Sequence, residues 1–300
     1  MSASFPKVKV YVALAFGMLA FGFGPNIVKY GVEYSAYKLA VTRTVFAFIL
    51  LIPMWMVSQQ DKKKHGEASS PLTQLEIIAG LALGLHFVTW IASLYYTSVA
   101  SASVLVTTHP IILIIAERSI FRVRFPLLSW IGVTIAFTGS ALLGYLDQDA
   151  GATYSNPILG NALAFIAALI FSVYFLISKK VRQNSSWIDY VFKIYGFAAL
   201  ACILVLLIMD SDLSDLFEPK LLLIGLALAL GPQLLGHGSI NYAVKFINPT
   251  IIATLILVEP LVASVIAVFM FEEIPAIESI FAMAIVFTGI GLTWAKREQD

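Results

Sequence analysis

From Leu221 to Leu230 the chain passes ten residues without one polar side chain, and runs of this kind recur along it. A helix needs about 20 apolar residues to cross the roughly 30 Å hydrocarbon core of a bilayer. Divided at its polar punctuation, the sequence yields ten such segments. They are Val8–Lys29, Ala36–Val57, Leu75–Tyr96, Ala100–Ile120, Pro126–Tyr145, Pro157–Ser178, Trp187–Met209, Pro219–Tyr242, Ile247–Met270 and Ala276–Ala295. Ten spans use about 200 residues, which a chain of 300 accommodates with room for loops. Only 12% of residues are charged, against roughly 25% in soluble domains, and the mean hydropathy is +0.88. In lipid only helices or closed barrels satisfy every backbone polar group, and these runs lack the alternation of barrel strands. The expected fold class is an all-α membrane protein with ten transmembrane helices.

Charge sets an expected orientation. With the N-terminus in the cytoplasm, alternating crossings place Lys7, Lys9, Lys62–Lys64, Arg118, Arg122, Arg124, Lys179, Lys180, Arg182, Lys245, Lys296 and Arg297 on the cytoplasmic side. That is fourteen of the nineteen Lys and Arg. An excess of Lys and Arg in short loops is the orienting signal, so both termini are expected in the cytoplasm, in a plasma (inner) membrane. No cleavable signal is expected, because the first apolar segment follows Lys7 and Lys9 and is long enough to span. A net charge of +1 carries no nucleic-acid footprint. The single cysteine, Cys202, excludes an internal disulfide and a Cys-based metal site. No metal and no cofactor are expected, and the sequence sets no oligomeric state.

The chain repeats itself. A slide of 150 residues aligns Ser101–Leu143 with Ile251–Thr293 without a gap. Identities include Pro110/Pro260, Phe121/Phe271, Ser129/Ser279 and the run Phe137-Thr138-Gly139/Phe287-Thr288-Gly289. The copies are expected at 1–148 and 156–300, divided in the Gly/Asp/Asn-rich stretch Asp147–Asn156. Five spans per copy is an odd number, so the second copy enters the membrane inverted. Inverted repeats are the architecture of alternating-access transporters.

Ionisable side chains at membrane depth face a cavity or a partner, because an isolated one costs roughly 2.5–3.5 kcal/mol on insertion scales. Glu259 precedes Pro260 in the middle of the ninth segment, and its counterpart His109 precedes Pro110 in the fourth. Glu259 reads equally well as a proton- or cation-sensitive group and as a helix lock, and His109 more simply as a helix–helix hydrogen bonder. In the eighth segment Gln233, His237 and Asn241 are four apart, which stacks them on one face of an α-helix. His86 and Trp90 form a similar stripe in the third. Asn26 follows Pro25 at an expected break in the first, and Tyr174 of the sixth is in reach of a cavity. These nine residues are the candidate solute-binding set. Arg43, about two turns into the second segment, reads as structural, and Lys193 as a side chain snorkelling to the cytoplasmic surface. No phosphate-binding loop, metalloprotease or serine-hydrolase motif occurs, so no enzymatic activity is expected.

The two five-helix copies, the opening Phe23–Val32, Arg43, the stretch Tyr95–Pro110 and the ending Glu259-Pro260 … Glu272-Glu273 … Phe287-Thr288-Gly289 resemble the EamA family of the drug/metabolite transporter superfamily. The resemblance covers nearly the whole chain. It departs where family members often carry Trp-Gly in helix one, here Phe21-Gly22 and Phe23-Gly24, and where Arg122 replaces an acid after helix four. It implies a small-metabolite transporter, often an exporter, with a cavity lined by helices one, three, four, six, eight and nine. The expected solute is an amino acid or related metabolite, with membrane lipid as the surrounding partner and proton exchange through Glu259 and the histidines as the candidate coupling. Three rivals stand beside it. A nucleotide-sugar or triose-phosphate antiporter requires cavity Lys or Arg, a channel gives unsaturable flux, and a non-transporting membrane partner has a solid centre.

Overall fold

The computed structural model describes residues 7–66, 70–120, 122, 124–149, 154–210, 212–272, 274 and 276–294. Among the described residues every regular element is helical. The helices are α1 (Lys7–Tyr30), α2 (Ala36–Lys64), α3 (Gln74–Ser93), α4 (Val99–Ile120) and α5 (Leu127–Asp149), then α6 (Pro157–Arg182), α7 (Trp187–Met209), α8 (Pro219–Ala243), α9 (Pro249–Phe271) and α10 (Ile277–Trp294). Eight are long and apolar enough to cross a bilayer, and α5 and α10 add the shorter apolar stretches Leu127–Ala136 and Ile277–Gly289. With the sequence repeat, they form an all-α membrane protein of ten transmembrane helices in two inverted five-helix repeats. Glu273, Phe121, Lys296, Arg297 and the middle of the expected junction between copies lie outside the described residues.

Polar side chains start the helices where hydropathy places them. Ser35, Ser98, Asn156 and Ser186 each accept a backbone N–H of their helix's first turn, and Thr73 with Glu76 closes a reciprocal capping box on α3. Helix α2 runs on from the expected end at Val57 to Lys64. Hydropathy marks where the bilayer ends, whereas Gln59, Gln60 and Lys62–Lys64 are good helix formers that carry the backbone into water.

The repeat identities acquire physical meaning here. Helix α4 breaks at Thr107–Thr108 and α9 at Ile256–Leu257, in each case just before the titratable residue and its proline. A proline has no N–H to give the carbonyl four residues earlier. In α4 that carbonyl, Val106 O, is taken by the His109 ring Nδ1 at 3.0 Å, and in α9 Ile256 O accepts from the Glu259 N–H at 2.8 Å. Past these helices Arg122 and Glu272, 150 residues apart, both take the left-handed conformation at φ 57°. The acid-to-base departure at Arg122 therefore changes a charge and leaves the local backbone alike. The paired glycines of the Phe-Thr-Gly runs bring α5 and α10 together. A methyl on Gly289 would lie 2.4 Å from Ala136 N, and one on Gly139 2.9 Å from Val286 N. Each glycine meets the other helix's backbone, the close approach that small residues allow in lipid.

Helices α2 and α7, one from each repeat, pack along their length, with Phe192 stacked on Phe48 and on Trp55. Both ends of this seam are tied. At one end Lys38 pairs with Asp215, Ser35 Oγ donates to Asp210 at 2.5 Å, and Tyr95 OH donates to the Tyr34 carbonyl. Nearby Lys220 donates to Glu33 at 2.7 Å, which holds the Glu33 carboxyl below its ordinary range. At the opposite end Asp189 accepts from Lys62 and, at 2.6 Å, from Gln59 Nε2. Lys193 reaches the α2–α3 loop, where it pairs with Glu76 at 3.0 Å and donates to the Ser70 and Pro71 carbonyls.

Candidate functional site: a cavity between the repeats

Between the two breaks lies a cavity of about 30 Å³, room for about two water molecules. Five of the nine candidate residues line it: His86 and Trp90 from α3, His109 from α4, His237 from α8 and Glu259 from α9. Phe21 from α1, Phe87 from α3 and Phe171 from α6 complete the aromatic wall. The lining thus comes from the six helices the family resemblance implied, and from α2 as well.

The contribution of α2 is Arg43, which the sequence reading leaves outside the candidate set as structural. Arg43 lines the cavity, is 1% exposed, and donates from Nε to Gln233 Oε1 at 3.0 Å. Its guanidinium carbon sits 3.8 Å from the Phe87 ring centroid and 5.4 Å from that of Trp90. Cation–π stacking of this desolvated kind is worth about 2 kcal/mol, well short of a counter-ion. No carboxylate lies within ion-pairing distance of it among the described residues. A charge two turns into an apolar run was the available sequence signal. It lost weight because a snorkelling or paired arginine fits the same pattern.

Glu259 is 6% exposed, and that surface faces the cavity. The lining imidazoles rest against aromatic rings, His237 edge-on and His86 and His109 tilted. His237 sits 4.9 Å from both Phe21 and Phe87, and Phe171 lies 5.2 Å from His86 and 4.6 Å from His109. His86 Nδ1 lies 3.0 Å from the Ala167 carbonyl, as His109 Nδ1 does from that of Val106. A carbonyl only accepts, so both rings carry their proton on Nδ1.

The other four candidates surround the cavity without lining it. Asn26 Nδ2 donates to Gly22 O at 3.2 Å and Ala263 O at 3.1 Å, tying α1 to α9. Tyr174 OH donates to Asn241 Oδ1 at 2.8 Å, and Gln233 supports Arg43. The expected α-helical ladder on α8 is not present, because Ala229–His237 is a π-helix containing Pro232. The wider turn accommodates a ring that would clash in an α-helix, and π segments concentrate at functional sites. It rotates Gln233, His237 and Asn241 to three different partners. Carbonyls around this segment are caught from α7: Tyr195 OH donates to Gln233 O and Trp187 Nε1 to Gly238 O, each at 2.8 Å.

Several buried polar atoms here have no partner among the described residues: Arg43 Nη1, Trp90 Nε1, His109 Nε2, Gln233 Nε2, His237 Nδ1 and Asn241 Nδ2. Buried polar groups are nearly always hydrogen-bonded, and leaving one unmet costs about 1–3 kcal/mol.

The model of the EamA-like transporter family matches this chain twice, at residues 8–145 and 158–295. The chain is 24% identical over 200 residues to the uncharacterized transporter YdfC of Bacillus subtilis (strain 168), a match covering 66% of this chain and 63% of that protein, under two thirds of its length. It is 23% identical over 297 residues to an uncharacterized transporter of Archaeoglobus fulgidus, covering 97% of this chain and 99% of the other. A crystal structure 15% identical in sequence shares the fold, with a TM-score of 0.65 over 96% of each chain. With ten helices in two repeats and both copies matched, the chain belongs to the EamA-like transporter family.

Proposed function

We propose that this protein is a secondary transporter that exports a small zwitterionic metabolite, such as an amino acid, across the cytoplasmic membrane. Its halves, 1–148 and 156–300, rock about the cavity and open it to each side in turn, with both termini in the cytoplasm. The observation that carries this reading is the cavity between the repeats with aromatic walls, Glu259, three imidazoles and a shell of polar atoms unmet among the described residues. A volume of about 30 Å³ holds about two waters, so the cycle widens the cavity as the halves part to admit a solute. In that cycle the aromatic rings receive the apolar part of the solute, and Glu259 receives its ammonium group. An uncompensated carboxylate at mid-membrane is costly. Glu259 therefore crosses the membrane carrying either the solute's cation or a proton, and one group that holds either but not both drives the two in opposite directions.

The test is flux through the purified protein in liposomes. Saturable amino-acid efflux, accelerated by unlabelled amino acid on the far side and by an inward proton gradient, is the expected result. Flux linear in concentration without counter-solute stimulation would make the protein a channel. Stimulation by sugar nucleotides or triose phosphates alone would make it an antiporter of phosphorylated solutes.

A further inference from the structure

The unusual charge in the cavity is Arg43. Its guanidinium is 1% exposed, is fixed by Gln233 through Nε, rests on the Phe87 ring, and leaves Nη1 with no partner. A buried guanidinium needs hydrogen-bond acceptors to offset its desolvation, and Arg182, equally buried, finds them in the Asn241 and Ser185 carbonyls. Here the lining carboxylate, Glu259, is not within 4 Å of it. Trp90, whose ring also faces Arg43, contributes a second unmet donor at Nε1. Unmet donors on Arg43 and Trp90, beside a guanidinium with no carboxylate in direct contact among the described residues, describe a receptor for an acceptor group bearing negative charge.

We propose that Arg43 is the subsite for the solute's carboxylate and makes that carboxylate obligatory, with Gln233 as the residue that positions it. The inference rests on the transporter reading above and adds a restriction to it. A carboxylate presents two oxygens in a plane, matching the planar fork of a guanidinium. It also carries one negative charge, which balances Arg43 and leaves Glu259 free for an ammonium group or a proton. A phosphate monoester brings about −1.5 to −2, and the excess would face Glu259 across the same hollow. An amine, amide or ester with no carboxylate would leave Arg43 desolvated and unmet. The same logic explains why Gln233 offers Oε1 to Nε: it orients the fork and leaves the outer nitrogens to the solute.

The test needs no mutation in its first arm. The wild-type protein in detergent is titrated with leucine and phenylalanine, with their carboxamides, with isoamylamine and phenethylamine, with lactate and phenylacetate, and with chloride at matched ionic strength. Binding is read as the rise in thermal midpoint. The expected result is a concentration-dependent rise with carboxylates that is at least 100-fold weaker for the amides and amines and absent for chloride. In the second arm Arg43→Gln loses the carboxylate response at least 100-fold, Arg43→Lys about tenfold, and Gln233→Leu about tenfold. The ligand-free thermal midpoint of each variant reports its fold separately. Carboxamides or amines binding as well as the acids, no carboxylate binding at all, or an Arg43→Gln protein with an unchanged carboxylate response would each overturn the proposal. Binding of lactate and phenylacetate but of neither amino acid would support the Arg43 subsite while overturning the amino-acid reading, so the two fail separately.

Discussion

Glu259→Gln should abolish coupled efflux, reducing it at least tenfold, while leaving the ligand-free protein as stable as before or more so. The two effects have opposite signs for one reason. Glu259 lines the cavity with no cation within 4 Å among the described residues. Replacing it with an uncharged amide of the same shape removes a desolvated charge, and a group held for function commonly costs stability. Transport loses the ammonium partner, and a tenfold loss corresponds to about 1.4 kcal/mol. It also loses the proton carrier, so any residual flux should no longer respond to a proton gradient. The measurement is efflux from liposomes at several pH values, beside a thermal melt of the same preparation. If the variant keeps both its flux and the pH dependence of that flux, proton exchange through Glu259 is wrong.

Gly289→Val should be the most disruptive single change to the fold. A Cβ there falls 2.4 Å from Ala136 N and 2.6 Å from Gly132 O, both backbone atoms that no rotamer change can move. The α5–α10 contact must separate, and overpacking of this kind costs typically 1–3 kcal/mol or more. A drop in thermal midpoint, or failure to recover folded protein, is the expected outcome. The matched control is Gly291→Ala, two residues on, where a methyl meets nothing within 4 Å. A neutral Gly291→Ala beside a damaging Gly289→Val ties the effect to the helix–helix contact and not to the loss of glycine itself. Equal stability of the two variants would mean that α5 and α10 do not approach as closely as described.

Much of the fold was legible because the bilayer imposes one requirement on every segment. Trp187–Met209 is the same in sequence and structure, since Ser186 caps its start and polar residues begin at Asp210. The overrun of α2 was invisible to hydropathy, because Gln59–Lys64 is polar yet remains helical. The helix breaks were legible too: the prolines after His109 and Glu259 mark the two breaks that flank the cavity. The α8 ladder failed as a pattern because it assumed 3.6 residues per turn through Pro232, where the chain widens to a π-helix. Arg43 was visible as a buried charge, but its partners are Gln233 and Phe87, 190 and 44 residues away, a distance over which one sequence carries no pairing signal.

The sequence by itself determined the number of apolar helices, the doubling of the chain and the place of each titratable group along its helix. All three follow from local composition against a solvent of known thickness. Tertiary structure alone decided which of those groups meet. Glu259, Arg43 and the histidines share a hollow because helices from both repeats close around it. Asn26, Tyr174 and Asn241, as polar and as deep, are spent on holding those helices together. The difference lies in helix rotation, which packing sets and which a polar letter at a given depth does not record.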